Sequence, residues 1–288
     1  MEDEHIVSLN LGPNKNTHIF GVMDGHGGVE VAKYIKNHFV DIFINSKLYK
    51  DNLIIQAIKE TYKEINLGLT SVPAFKELTK YHLEFQKQYN LEQTEEEKES
   101  MQKKGYIENL AYEIGSTCNI VVIQENDIYY ANCGDSRSVL LRHGEAIPMS
   151  TDHKPELPNE FKRIRRSGSI IKDGRVNGVL NLSRSIGDLQ FKRGNLEAKW
   201  AVSCVPDVLN ETITPLDDFI VIGCDGVWEC ISNEQMANFV YSRFRNGQNN
   251  LEQILTELLQ KNVAVNSEAD IGCDNMTCMI IKFKKESK

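Results

Sequence analysis

Apolar positions along the chain change period several times, and each change marks an element. Residues 5–11 alternate apolar and polar, the pattern of a half-buried strand. Gly12-Pro13-Asn14-Lys15-Asn16 supplies a turn. The run Ile19-Phe20-Gly21-Val22-Met23 then reads as a buried strand, so the two segments predict a hairpin. Over residues 29–45 the period becomes helical, with Ala32, Ile35, Phe39 and Ile42 on one face, and residues 52–66 repeat it with Ile54, Ile58, Tyr62 and Ile65. Two amphipathic helices in succession predict a helical layer packed on a sheet.

Residues 67–113 are polar, and residues 92–104 are almost solidly charged or amide-bearing, which predicts a solvated helical insertion or a partly disordered loop. Strands resume at residues 118–123 and 128–133 around the turn Gln124-Glu125-Asn126-Asp127. A tight turn, Gly134-Asp135-Ser136, leads into Val139-Leu140-Leu141, which Gly144-Glu145 closes, so the middle of the chain predicts an antiparallel meander. A short basic helix at residues 159–167, stopped by Gly168, follows the polar loop Thr151-Asp152-His153-Lys154-Pro155. Residues 176–182 read as a strand with turn chemistry inside it, and residues 192–199 as the polar part of a flexible flap spanning about 189–202. The apolar run at residues 219–224 predicts a buried strand ending at Asp225-Gly226. Helices are predicted at 234–245 and 251–265, and a last strand at 276–283 opens on Asp274-Asn275. No repeat or Pro/Ser-rich linker divides the chain, so residues 1–288 predict a single domain.

Composition narrows the function class. The 288 residues are 41% hydrophobic and 26% charged, ordinary for a folded domain with a sizeable core. A net charge of −8 argues against a nucleic-acid or anionic-membrane surface. No apolar stretch approaches the roughly 18 residues of a membrane span. The acidic start Met1-Glu2-Asp3-Glu4 is not a signal peptide. The seven cysteines form no Cys-x-x-Cys pair, which points to buried, reduced thiols rather than zinc or disulfides. An intracellular protein is the expectation, cytoplasmic with a nuclear location left open.

Candidate chemistry lies at strand ends. Asp24, Asp135 and Asp225 each follow an apolar strand and precede Gly or Ser, and Asp274 opens a strand. Each alone reads equally as a turn residue. In an antiparallel sheet, however, the end of one strand lies beside the start of its neighbour, so one edge can gather these acids with Glu2 and Asp3. Crowded carboxylates repel and take up protons unless cations are present, and an all-oxygen donor set selects hard ions, Mg or Mn. Two such ions can acidify water and clamp a phosphoryl group. The sequence lacks a Cys-x5-Arg loop, a Gly-x4-Gly-Lys-Ser/Thr loop, a His-Arg-Asp catalytic loop and a Gly-x-Ser-x-Gly elbow, which leaves metal-activated water.

Nine ordered segments then carry a resemblance: Met1-Glu2-Asp3, Asp24-Gly25-His26-Gly27-Gly28, Gly115-Ser116-Thr117, Cys133-Gly134-Asp135-Ser136-Arg137, Asp152-His153-Lys154-Pro155, Arg175-Val176-Asn177-Gly178, Leu182-Ser183-Arg184-Ser185-Ile186-Gly187-Asp188, Cys224-Asp225-Gly226-Val227-Trp228 and Asp274-Asn275-Met276-Thr277. From the first residue to about Phe283 the chain resembles the metal-dependent type 2C serine/threonine protein phosphatases. The resemblance implies an α+β fold, a four-layer α-β-β-α sandwich of two mainly antiparallel sheets flanked by helices. It implies two Mg or Mn ions bridged by Asp24. Asp225 and Asp274 complete one shell, and Glu2 with the Gly25 carbonyl completes the other. Asp3 and Asn275 stand behind them. Asp135 is placed for a weaker third ion, beside Glu229, where the family usually has aspartate. The implied reaction is single-step hydrolysis of phosphoserine and phosphothreonine in phosphoproteins by a metal-bridging hydroxide, with His26 protonating the leaving oxygen and no phosphoenzyme. Arg184 and His153 read as structural hydrogen-bonders. The chain is expected to act as a monomer on phosphoprotein substrates, without nucleic acid or a membrane span.

Two departures qualify the match. The family usually carries a phosphate-binding arginine a few residues before Met-Glu-Asp, and none lies within this sequence, so weaker substrate binding is expected unless another group replaces it. Ser169 stands where a second glycine often follows Gly168. The missing arginine leaves a second reading open, an inactive phosphatase-like binding module. A third, a phosphotransferase with Asp24 as covalent nucleophile, is opposed by His26 at the position where such enzymes place a second acid.

Overall fold

A computed structural model of the chain describes residues 1–89, 109–194, 197–266 and 271–284. Strands β1 (Glu4–Leu11) and β2 (Thr17–Met23) form the predicted hairpin, with Glu4 opposite Met23. That register brings Glu2 and Asp3 beside Asp24. A two-residue strand, β3 (Gly25–His26), leads into α1 (Glu30–Asn45), a short α2 (Lys47–Lys50), α3 (Ile54–Gly68) and α4 (Val72–Gln88). The strands β4 (Gly115–Ser116), β5 (Cys118–Gln124), β6 (Asp127–Cys133), β7 (Arg137–Arg142) and β8 (Glu145–Pro148) follow. Helix α5 (Pro158–Arg166) precedes three short strands, β9 (Ile171–Lys172), β10 (Arg175–Val176) and β11 (Ile186–Gly187). The chain ends with β12 (Asp207–Thr212), β13 (Asp217–Gly223), α6 (Asp225–Trp228), α7 (Asn233–Arg245), α8 (Leu251–Asn262) and β14 (Cys278–Lys282).

Two antiparallel sheets, ordered β1-β2-β5-β6-β12 and β14-β13-β7-β8, pack face to face between helical layers. The alternation along β5 explains the stacking. Ile120 and Val122 face α1 and α3, while Val121 and Ile123 face the second sheet. The first helical layer is seated by Ile35, Phe39, Ile58 and Tyr62, all fully buried. The Phe39 and Tyr62 rings meet edge to face at 5.6 Å. The Tyr62 hydroxyl donates to the carbonyls of Cys118 and Ala131 at 3.1 and 3.2 Å, pinning α3 to the first sheet. On the other side, Met236, Ala237, Ile254 and Leu258 of α7 and α8 cover the second sheet. The predicted α+β four-layer sandwich is the observed architecture.

Four expectations change. Helix α4, within the polar insertion, is not simply solvated: Ser71 caps it, and Ala74, Leu78 and Tyr81 pack into the first core, with the Tyr81 hydroxyl accepting from Asn37 Nδ2 at 2.6 Å. The charged run at 92–104 lies outside the described residues. The meander is broken at Gly134-Asp135-Ser136, because β6 stays in the first sheet while β7 pairs with β8 and β13 in the second. Residues 176–182 contain only the end of β10 and a bridge from Val176 to Leu180, since Asn177 and Gly178 take positive φ and turn the chain. The segment predicted as a flap is anchored at both ends, by Phe191 and Lys192 and by Trp200, Ala201 and Val202, all buried. Strand β12 escaped prediction because it is an edge strand whose residues are mostly polar and exposed.

Among the described residues no helix is long and apolar enough to cross a membrane. All seven cysteines are free thiols, four of them buried.

Candidate active site

The hairpin register places three acids together at one end of the sandwich. Glycine makes the approach feasible: a Cβ on Gly25 would lie 2.5 Å from the Glu2 carbonyl and 2.9 Å from the Gly28 carbonyl. Gly226 serves the other wall, because a Cβ there would lie 2.2 Å from the Asn275 carbonyl and 3.3 Å from Cβ of Asp274. Asn275 crosses between the walls, its Oδ1 accepting from the Glu2 amide at 2.7 Å. Asp3 accepts from Thr277 Oγ1 at 2.7 Å, and its other oxygen, Oδ1, is buried without a hydrogen-bond partner. The Asp24 backbone is held on both sides by Thr117, whose Oγ1 accepts from the Asp24 amide at 3.0 Å and whose amide donates to the Asp24 carbonyl at 2.9 Å.

The carboxylates destabilise one another's charge. Burial, with Asp225, Asp3 and Asp135 nearby, pushes Asp24 up to about 10. Asp225 rises to about 6 through burial and the Asp135 charge, so the crowding disfavours ionisation of both carboxyls. Burial also raises Asp3 and Glu2. Asp135 is buried and takes Lys154 as counter-ion, Nζ to Oδ2 2.5 Å. Glu229 and Asp274 stand exposed at the rim, Glu229 close enough to raise Asp225 and Asp274 close enough to raise Asp3. Every predicted acid therefore belongs to one edge. Among the described residues, no three His, Cys, Asp or Glu side chains are already set as ligands around one point. The donor set still suits a hard divalent cation: it is all oxygen, it includes an orphaned buried carboxylate oxygen, and its crowded carboxylates disfavour one another's charge.

His26 stands one residue from the Gly25 turn, and its position is set by a small third sheet ordered β11-β4-β3. His26 lies opposite Gly115, and Gly115 opposite Gly187. With no side chain at those two positions, the imidazole meets Asp188 from the far strand, Nε2 to Oδ2 2.8 Å. A Cβ on Gly115 would lie 2.1 Å from that carboxylate oxygen and 2.4 Å from the histidine nitrogen. Burial opposes charge on His26, but the Asp188 carboxylate outweighs it and raises the imidazole, while Asp188 itself is lowered. Ser185 Oγ donates to the same Asp188 oxygen at 2.5 Å. Asp188 and Lys154 lie inside the ordered segments, but nothing in the sequence assigns either a task. An acid immediately after a glycine, in a segment rich in Ser and Arg, was the available signal.

Arg184 and His153 are held in structural roles. Arg184 donates through Nε and Nη2 to Glu160 and through Nη1 to Asp207 at 2.7 Å. Burial opposes it, yet Arg184 and Arg163 hold Glu160 down at about 2. His153 Nδ1 accepts from the Gly134 amide at 3.1 Å and Nε2 bonds Asp207 at 3.1 Å, which fixes the turn carrying Asp135. Arg137 grips Asp152 through two parallel bonds of 3.0 and 2.7 Å.

Relatives match this chain over nearly its whole length, and solved structures share its frame. The family model described as protein phosphatase 2C matches residues 1–71 and 68–271. "Probable protein phosphatase 2C 6" of Paramecium tetraurelia is 37% identical over 286 residues, covering 99% of this chain and 88% of the relative. "Probable protein phosphatase 2C 60" of Arabidopsis thaliana is 30% identical, with 99% and 83% covered. Among solved structures, the serine-threonine phosphatase 2C from Toxoplasma gondii superimposes with a TM-score of 0.72 over 98% of this chain and 90% of that one, at 20% identity, a likeness of fold. An acid edge assembled by hairpin register, on a sandwich that relatives across ciliates and plants share in sequence, places this chain in the protein phosphatase 2C family.

Proposed function

We propose that the acid edge hydrolyses phosphoserine and phosphothreonine esters of phosphoproteins with divalent metal ions, in one step and without a phosphoenzyme. One observation carries this reading: Asp24 is crowded by Asp225 and Asp3 on one buried edge, which disfavours its ionisation and which added positive charge would relieve. Asp24, Asp225 and Asp274, with Glu2 and the Gly25 carbonyl, would hold two ions, Mg or Mn, and Asp135 with Glu229 a weaker third. When bound, such ions polarise a phosphoryl oxygen and lower the pKa of water. Around them the chain's own groups have separate tasks. Asp3, fixed by Thr277, and Asn275, fixed by the Glu2 amide, orient the ligands. His26, whose protonated form Asp188 favours, would deliver its proton to the departing Ser or Thr oxygen. Lys154 covers Asp135 and limits how much negative charge that carboxylate adds to the edge.

Phosphate release from a phosphothreonine peptide, measured with Mn, with EDTA and for a pre-steady-state burst, tests the reading. Metal-dependent release without a burst is the expected result. A stoichiometric burst would favour a covalent Asp24 phosphate, and no release with any divalent ion would favour a binding module. The acid edge is intact, so the binding module is the less favoured reading.

A further inference from the structure

Lys192 is 8% exposed, yet among the described residues no carboxylate pairs with it directly. Its Nζ donates to Asn66 Oδ1 at 2.8 Å, to the Ser185 carbonyl at 2.7 Å and to the Gly187 carbonyl at 2.5 Å. Asn66, buried on α3, accepts a second time from the Gly187 amide at 3.1 Å. Removing an ammonium from water is costly, and an apolar side chain would fill the same space. What the ammonium adds is direction: three donors fix two backbone carbonyls and one side-chain amide together. Both polar groups of the Gly187 backbone, and the carbonyl two residues before it, are thereby clamped.

The next residue is Asp188. Its φ is +48°, its amide donates to the Ile114 carbonyl at 3.0 Å, and its Oδ2 meets both Ser185 Oγ and His26 Nε2. An angular error in the clamp passes to that carboxylate through one residue. We propose that Lys192 and Asn66 are positioning residues for proton delivery, holding the Ser185–Asp188 segment so that Asp188 aims His26 at the leaving group. The proposal rests on the general-acid reading of His26 given above.

Leaving-group dependence tests it, because an aryl phosphate departs without a proton whereas a phosphothreonine ester needs one. The variants Lys192→Met, Asn66→Ala, Asn66→Asp and His26→Ala are assayed on p-nitrophenyl phosphate and on a phosphothreonine peptide, at saturating Mn, with melting curves for folding. Lys192→Met and Asn66→Ala are expected to lose about tenfold or more in kcat on the peptide and less than about threefold on the aryl ester, with little change in KM. Asn66→Asp, which keeps the acceptor for both donors, is expected to stay within about threefold of the parent on both substrates. If Lys192→Met does not fold, Asn66→Ala decides. Equal losses on both substrates, or none on the peptide, overturn the clamp while His26→Ala remains selective for the peptide. If His26→Ala itself shows no selectivity, the general-acid reading falls and the clamp with it.

Discussion

His26 Nε2 lies 2.8 Å from Asp188 Oδ2, a contact between residues 162 positions apart that exists because glycine stands between them at position 115. Among the described residues this is the one hydrogen bond of the imidazole ring.

Asp188→Asn removes the charge that favours protonated His26 and is expected to lower kcat on a phosphothreonine peptide by about 10- to 100-fold, with a smaller loss on p-nitrophenyl phosphate. Gly115→Ala should reproduce the pattern without altering either partner, since its Cβ would lie 2.1 Å from the carboxylate oxygen and 2.4 Å from the imidazole nitrogen. Steady-state rates on the two substrates check both variants.

The proposed metal role of the acid edge predicts a coupling between stability and metal. Asp225→Asn relieves repulsion on Asp24, so in EDTA the variant should melt higher than the parent, by about 2–4 °C for each kcal/mol relieved. Mn should raise the parent's melting temperature and move that of Asp225→Asn much less. Activity of the variant should fall by about 100-fold or more. Calorimetry with and without Mn, alongside phosphate release, provides the measurement, and unchanged Mn-dependent turnover in Asp225→Asn would remove that residue from the metal site.

Glu160 supplies a pH signature away from the reaction. Its carboxyl is held at about 2 against an ordinary 4.5, so the stabilisation is present above the unfolded value and is lost as pH falls through that interval. The shift corresponds to at most about 3 kcal/mol. Urea midpoints should therefore drop between pH 4.5 and 2, and Glu160→Gln should flatten that drop while lowering stability at pH 7. An equal slope in parent and variant would contradict the assignment.

Tyr62→Phe separates packing from polar anchoring in the first layer. The ring contact with Phe39 remains, while two hydrogen bonds to β5 and β6 carbonyls are lost. A loss of about 1 kcal/mol is expected, with unchanged kcat, and denaturant titration together with the peptide assay checks it.

Much of the scaffold was legible in sequence, because a period of two or of 3.6 reports which side of an element meets a core. That was enough for the β1–β2 hairpin, for α1 and α3, and for the β5–β6 pair. Acids at strand ends were legible too: Asp24, Asp135 and Asp225 each follow a buried run, and an antiparallel edge was bound to collect some of them. Ordered motifs made the family legible before any coordinate. Periodicity does not encode which strands become neighbours. The turn at Gly134 looked like a meander, yet it carries the chain from one sheet to the other, since local turn chemistry is the same in both cases. Edge strand β12 and the mostly polar α4 carried weak apolar signals and were lost or misread for that reason. Pairings between distant residues were invisible altogether. Sequence by itself determined most of the element types, the candidate acids and the family. Only the tertiary structure decided that Lys154 faces Asp135, that Asp188 faces His26 and that Lys192 lies buried beneath them, because those contacts depend on sheet order and register rather than on any local preference.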